Sequence, residues 1–180
     1  LDIALQVLMA KRQVLILLPE ILLTTHLIHR FSAKLGEYQI AQWHSSLTPN
    51  KRSIIWHGVL NGTTNVIVGA RSSLFLPFKK LGLIIVDEEH DNSFKQDEGT
   101  IYNARDMSIV YAKIGRFPII LSSATPSAES FCNATKGKYQ LHQLSKRYTG
   151  VHFPDVQIIN MTKKEKQYEK CISFSLQEEL

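Results

Sequence analysis

Leu83-Ile84-Ile85-Val86 runs without a break into Asp87-Glu88-Glu89-His90. Four aliphatic residues in a row, with no polar alternation, suit a strand buried on both faces of a parallel sheet. The same grammar recurs on either side. Val14-Leu15-Ile16-Leu17-Leu18 is an apolar run stopped by Pro19, Asn65–Gly69 leads into Ala70-Arg71, and Phe117–Leu121 leads into Ser122-Ser123-Ala124-Thr125. Shorter β-prone stretches lie at Tyr38–Trp43 and Tyr139–Leu144. Helical patterns fill the gaps. Residues 22–35 carry Leu23, Leu27, Ile28, Phe31 and Leu35 at helical spacing and end at Gly36. Thr48-Pro49 reads as an N-cap followed by proline at the first helical position, opening a helix that turns Ile54, Ile55 and Val59 inward and stops at Asn61-Gly62. Residues 104–114 form another helix, and Pro126 opens a further one closed by Gly137. Strand and helix in alternation predict a doubly wound α/β fold, a parallel sheet with helices on both faces.

Composition agrees with a globular chain. The 180 residues are 44% hydrophobic and 21% charged, which excludes wholesale disorder and fibrous repeats. A balance of 21 basic against 16 acidic side chains leaves +5, which permits a polyanionic partner without demanding one. Cys132 and Cys171 are too few for a disulfide scaffold and have no metal-ligand spacing, so two ordinary thiols in a reducing compartment are expected. No apolar run approaches the ~20 residues of a membrane span. With no leader pattern either, a cytoplasmic, membrane-free protein is expected. Leu1–Leu5 reads as a helix already under way, the mark of a piece of something longer. Ser145–Asp155, polar and basic with Gly150 and Pro154, reads as a linker, and Val156–Ile159 as the first strand of another unit. The charge-rich run from Thr162 to Lys170 suits a solvated face.

In an open parallel sheet, ligands gather outside the carboxyl ends of the strands. The strongest candidate there is the Asp87–His90 cluster, because consecutive carboxylates repel unless a cation or donors meet them. Mg²⁺ takes one or two carboxylates plus phosphate oxygens, and a following Glu can orient an attacking water. A solvated acidic turn is the plainer alternative. Ser123 and Thr125 can bond the acidic cluster next door and report its state, or Thr125 can simply cap the helix after it. Arg71, behind Gly69-Ala70, offers a charge to phosphate or pairs with a carboxylate. The loop from Asp91 to Arg105 interleaves Phe94 and Tyr102 with Lys95, Gln96 and Arg105. Such a loop suits a single strand whose bases stack, but composition alone favours two aromatics packed beneath a long loop. His44 and His57 have no metal-like spacing.

The order Pro19-Glu20-Ile21, Gly69-Ala70-Arg71-Ser72, Asp87-Glu88-Glu89-His90 and Ser123-Ala124-Thr125-Pro126-Ser127 resembles the superfamily two helicases. The wording at Gly82–Gly99, Tyr102–Lys113 and Ser123–Ser130 is similar to the bacterial replication-restart helicases within them, and the likeness extends from about Gln13 to Gly150. The resemblance implies a RecA-like sheet of P-loop NTPase type and an ATP-dependent, 3′-to-5′ DNA helicase that reloads the replication machinery at stalled forks. It places Asp87 at a water-mediated Mg²⁺ site, Glu88 on the hydrolytic water, His90 between the nucleotide and DNA sides, and Ser123 and Thr125 in the coupling of hydrolysis to movement. It assigns Glu20, Thr24 and Arg71 to the nucleic-acid backbone. It makes the segment from Phe94 to Tyr102, with Arg105 close behind, the loop that senses single-stranded DNA. ATP and Mg²⁺ are the implied cofactors. Single-stranded and forked DNA, primosome proteins and single-stranded-DNA-binding protein are the implied partners.

The same resemblance marks what the chain lacks. The phosphate-binding turn ending in Gly-Lys-Thr is expected just upstream of Leu1, and an amino-terminal DNA-binding domain before that. The second lobe, with its arginine finger and zinc-binding cysteines, is expected from Val156 onward. The expectation is therefore a first lobe over 1–144, a linker over 145–155 and the start of the second lobe over 156–180, lacking the phosphate loop. Two alternatives stand beside it: a fragment without catalysis that holds single-stranded nucleic acid weakly, and another superfamily two translocase.

Overall fold

A computed structural model describes residues 1–23 and 25–144; Thr24, the expected linker and the expected second unit lie outside the described residues. Five parallel strands form the sheet: β1 (Gln13–Leu17), β2 (Ile40–Trp43), β3 (Val66–Gly69), β4 (Leu81–Asp87) and, after a two-stranded hairpin of β5 (Lys95–Gln96) and β6 (Tyr102–Asn103), β7 (Ile119–Ser122). Their order is β2-β3-β1-β4-β7. The unbroken apolar runs occupy the middle: every residue of β1 and of β3 is buried, because β1 is flanked by β3 and β4 and both faces are covered.

The strand pleat divides the core in two. Leu15, Leu17, Ile67, Ile84 and Val86 point to one face and meet α3 (Pro49–Asn61) and α4 (Ala104–Gly115) through Ile55, Val59, Ala104, Tyr111 and Ala112. Val14, Ile16, Leu18, Val66, Val68 and Leu83 point to the other and meet α1 (Asp2–Met9) and α2 (Thr25–Leu35) through Ala4, Leu8, Phe31 and Leu35. Burying one such aliphatic side chain contributes roughly 1.5–3 kcal/mol. The parallel α/β sheet with helices on both faces is thus the fold observed.

Several boundaries differ from the sequence expectation. In α3 only Ile55 and Val59 face the sheet, and Ile54 is 63% exposed. At 3.6 residues per turn, Val59 lies about 40° around the helix from Ile55 but about 140° from Ile54. Thr48 does cap this helix, accepting from Lys51 N–H, and Gly62 closes it at φ +78°. The helix expected over 22–35 is divided, with a 3₁₀ turn at Glu20–Leu22 before α2. The last described helix, α5 (Ala128–Thr135), is capped by Ser127, whose hydroxyl accepts from Ser130 N–H, so neither Thr125 nor Pro126 starts it. Residues 139–144 form no strand.

Gly69, the last residue of β3, sits where chain segments crowd. A Cβ there would lie 2.7 Å from the Trp43 carbonyl oxygen and 2.8 Å from Ser73 Cβ. The 3₁₀ turn over Arg71–Phe75 can fold back onto the sheet edge because that carbon is missing.

Candidate active site at the carboxyl edge of the sheet

All five strands are parallel, so Leu17, Trp43, Gly69, Asp87 and Ser122 end at one edge. Asp87 pairs in register with Ser122. The next residue, Glu88, takes φ +50°, the left-handed region that costs an ordinary residue about 1–2 kcal/mol. Bonds on either side hold it there. Glu89 N–H donates to the Ser122 carbonyl at 3.0 Å, and Asp91 N–H donates to the Glu88 carbonyl at 2.8 Å. The kink leaves Asp87 and Glu88 half-exposed at the rim.

His90 joins the two strand ends. Its Nδ1 is 2.8 Å from Ser123 Oγ and 3.6 Å from Glu88 Oε2, and its Nε2 is 3.5 Å from Thr125 Oγ1. Ser123 Oγ also accepts from Thr125 N–H at 3.0 Å. The imidazole tautomer sets which partner carries the proton between His90 and Ser123. Glu88, His90, Ser123 and Thr125 are therefore one connected group.

Glu89 points the other way, into the protein, and is 3% exposed. Its Oε1 accepts from Ser127 N–H at 2.7 Å, while Oε2 accepts from Ser127 Oγ at 3.0 Å, Ser130 Oγ at 2.8 Å and Arg105 Nη1 at 3.1 Å. Burial pushes its pKa up, but these donors together hold it below the ordinary carboxylate value. Arg105 also donates to Ser127 Oγ at 2.8 Å and, through Nε, to Asp106 at 2.8 Å. Burial alone would lower its pKa; the Asp106 and Glu89 carboxylates raise it instead. The guanidinium assigned by resemblance to nucleic acid is thus buried and engaged within the protein.

The rest of the expected DNA-facing set is distributed unevenly. Phe94 is 1% exposed and belongs to the core with Leu17, Leu74 and Leu76, so it offers no face to a base. Tyr102 is half-buried and packs edge-on against Phe75 with centroids 5.2 Å apart. Of the two open possibilities for these aromatics, packing is the one observed. Lys95 is exposed and pairs with Asp97 at 3.0 Å, and Gln96 donates to the Glu98 carbonyl at 2.8 Å. Arg71 donates to the Lys95 carbonyl at 2.6 Å and the Ser93 carbonyl at 3.3 Å, tying the loop after β4 to the end of β3. Glu20 accepts from the Ser45 hydroxyl, which holds its carboxyl below the ordinary value. That bond ties the 3₁₀ turn after β1 to the turn after β2. Glu20, Arg71 and Ser93 line a small cavity with Leu18, Ala70 and Phe94. Thr24 lies outside the described residues.

Sequence reasoning missed Glu89, Ser127 and Ser130. The signal was present: three carboxylates in a row need donors, and the paired serines of Ser127-Ala128-Glu129-Ser130 supply them. Among the described residues no three His, Cys, Asp or Glu side chains converge into a metal cage. One half-exposed strand-end carboxylate, Asp87, fits an ion held chiefly by water and phosphate rather than by protein.

A parallel sheet with acidic and hydroxyl-bearing loops at one edge is the setting in which nucleotide-hydrolysing folds hold their ion and attacking water. The profile of the DEAD/DEAH box helicases matches residues 2–133, and the chain belongs to that family. More narrowly, it is similar to the Replication restart protein PriA of Rickettsia felis, 50% identical over 153 residues, which are 85% of this chain and 24% of the relative. The Bacillus subtilis protein of the same name is 38% identical over 156 residues, 87% of this chain and 19% of that protein. The chain thus spans about a quarter or less of the curated relatives it matches. RecG bound to a three-way DNA junction overlaps 70% of this chain and 16% of its own, at 23% identity and TM-score 0.47.

Proposed function

We propose that this chain is the first RecA-like lobe of an ATP-dependent, 3′-to-5′ DNA helicase of replication restart. One observation carries the reading. In a chain half identical to a replication restart protein, Asp87 and Glu88 end one strand beside the Ser123–Thr125 loop of the next. Asp87 would hold Mg²⁺, chiefly through water. When bound with a triphosphate, that ion neutralises charge on the phosphoryl oxygens. Glu88, half-exposed at the kink, orients the attacking water and accepts its proton. His90, in contact with both Glu88 and Ser123, passes the state of the acidic pair to the loop after β7. Arg71, the exposed Lys95 and the half-buried Gln96 lie towards single-stranded DNA.

Residues 1–144 form the lobe, 145–155 the linker and 156–180 the start of the second lobe. Forked DNA, primosome proteins and single-stranded-DNA-binding protein are the partners in the cytoplasm. Among the described residues no helix is long and apolar enough to cross a membrane. A Gly-rich turn ending in Gly-Lys-Thr is not among the 180 residues, so the chain by itself is expected to turn over little ATP. The test is Glu88→Gln in the full-length protein. Nucleotide affinity is expected to persist while DNA-stimulated hydrolysis is abolished; normal turnover in that variant refutes the assignment.

A further inference from the structure

A groove with no part in the acidic site lies between α4 and the segment after β3. Leu74, Leu76 and Tyr111 floor it, and its volume is about 350 Å³. Its walls are Phe75, Met107, Val110 and Ile114, all exposed, Ile114 at 75%. On α4 the three wall residues fall at i, i+3 and i+7, one stripe of the helix. That stripe is separate from Ala104, Ser108 and Ala112, which are buried toward the sheet. Single exposed apolar side chains are ordinary, but a contiguous concave group of them marks a place where something docks.

Charge decides what fits. α4 runs against the strands, so its last turn shares the amino edge of the sheet with the start of β4. Lys79 and Lys80 precede β4 there, and Lys113 and Arg116 close α4. All four are exposed, and none forms an ion pair among the described residues. Residues 74–86 and 107–121, which build both walls and that end of the groove, contain no Asp or Glu. Asp106, at the other end, is already bonded to Arg105. The groove is therefore apolar along its length and positive at one end. Bases of a nucleic acid need flat rings to stack on, and three of the four wall residues are aliphatic. A lipid surface suits a flat or convex apolar face, whereas this one is concave.

We infer that this groove docks an acidic amphipathic segment of a partner protein. Its apolar side chains seat between Phe75 and Ile114, and its carboxylates meet Lys80, Lys113 and Arg116. The inference stands independently of the helicase reading, since it uses neither the acidic strand end nor any side chain assigned to DNA.

The test uses the full-length protein carrying this chain. The probe is a fluorescein-labelled helical peptide of about 14 residues, with leucines on one face and glutamates on the other. Anisotropy reads its affinity, and a peptide with lysine in place of every glutamate is the control. The glutamate peptide is expected to bind at least about tenfold tighter than the lysine peptide, and to weaken as salt rises. Val110→Asp and Ile114→Asp are each expected to weaken it by about tenfold. Both side chains are exposed in the wild type, so the melting temperature is expected to hold, and if one variant misfolds the other serves. Lys80→Glu combined with Lys113→Glu is expected to weaken the glutamate peptide by about tenfold and to tighten the lysine peptide. Ile54→Asp, on the exposed face of α3, is expected to leave both affinities unchanged. No binding of the glutamate peptide, equal binding of the two peptides, or binding indifferent to Val110→Asp and Ile114→Asp overturns the inference. Phosphatidylserine vesicles or an oligothymidylate bound in a way that Val110→Asp abolishes also overturns it, reassigning the face to a lipid surface or to nucleic acid.

Discussion

Phe94 is the residue on which motif reading and tertiary structure diverge most sharply, and its replacement tests which is right. The ring is 1% exposed and packs into the core between β1, β4 and the 3₁₀ turn that follows β3. Phe94→Ala removes a whole buried ring, a change that costs about 3–5 kcal/mol in transfer and cavity terms. Against a total stability of roughly 5–15 kcal/mol, that is a large share. Phe94→Leu keeps most of the volume and is expected to cost no more than about 1.5 kcal/mol. Urea unfolding followed by far-ultraviolet circular dichroism reads both. At a slope of about 1–3 kcal/mol per molar urea, the alanine variant is expected to lose at least about 1 M in midpoint. In the full-length protein at a temperature where it remains folded, the leucine variant is expected to bind single-stranded DNA as wild type does. If Phe94→Ala shifts stability by less than about 1 kcal/mol, or if Phe94→Leu abolishes DNA binding while remaining folded, the ring is a stacking platform and the core assignment is wrong.

Three further outcomes are expected. The folded pKa of Glu89 is depressed below its ordinary 4.5, so its contribution to stability is present above about pH 4.5 and is lost as pH falls through the folded value. The urea midpoint is therefore expected to drop as pH falls below about 4.5, less steeply in Glu89→Gln, and identical pH profiles contradict this. In Gly69→Ala the new methyl meets the Trp43 carbonyl at 2.7 Å, a backbone atom that cannot rotate away. A loss of about 1–3 kcal/mol is expected, visible as a lower melting temperature, and an unchanged one refutes the close approach. Arg71→Ala frees the Ser93 and Lys95 carbonyls, so trypsin is expected to cut after Lys95 about tenfold faster, and an unaltered rate denies the tether.

Much of this protein could be read from local pattern. The aliphatic runs at 14–18, 65–69 and 83–86 marked central parallel strands because a strand covered on both faces needs no polar alternation. The Thr48-Pro49 start and Gly62 stop of α3 are local chemistry, legible within a few residues. The meeting of Glu88, His90, Ser123 and Thr125 followed from parallel topology, since the ends of neighbouring parallel strands share an edge. Side-chain direction was a different matter. Resemblance places Phe94 and Arg105 in a nucleic-acid loop, yet one lies in the core and the other is spent on Glu89. Only the Asp106 partner of Arg105 is local. The partners that bury them come from β1, the 3₁₀ turn after β3, and α5, and only the folded chain brings those segments together. Sequence determined which residues form the central strands and at which edge the chemistry gathers, because both follow from short-range periodicity and strand sense. The tertiary structure alone decided which charged and aromatic groups face that edge and which are turned inward to hold it, because burial and pairing depend on neighbours distant in sequence.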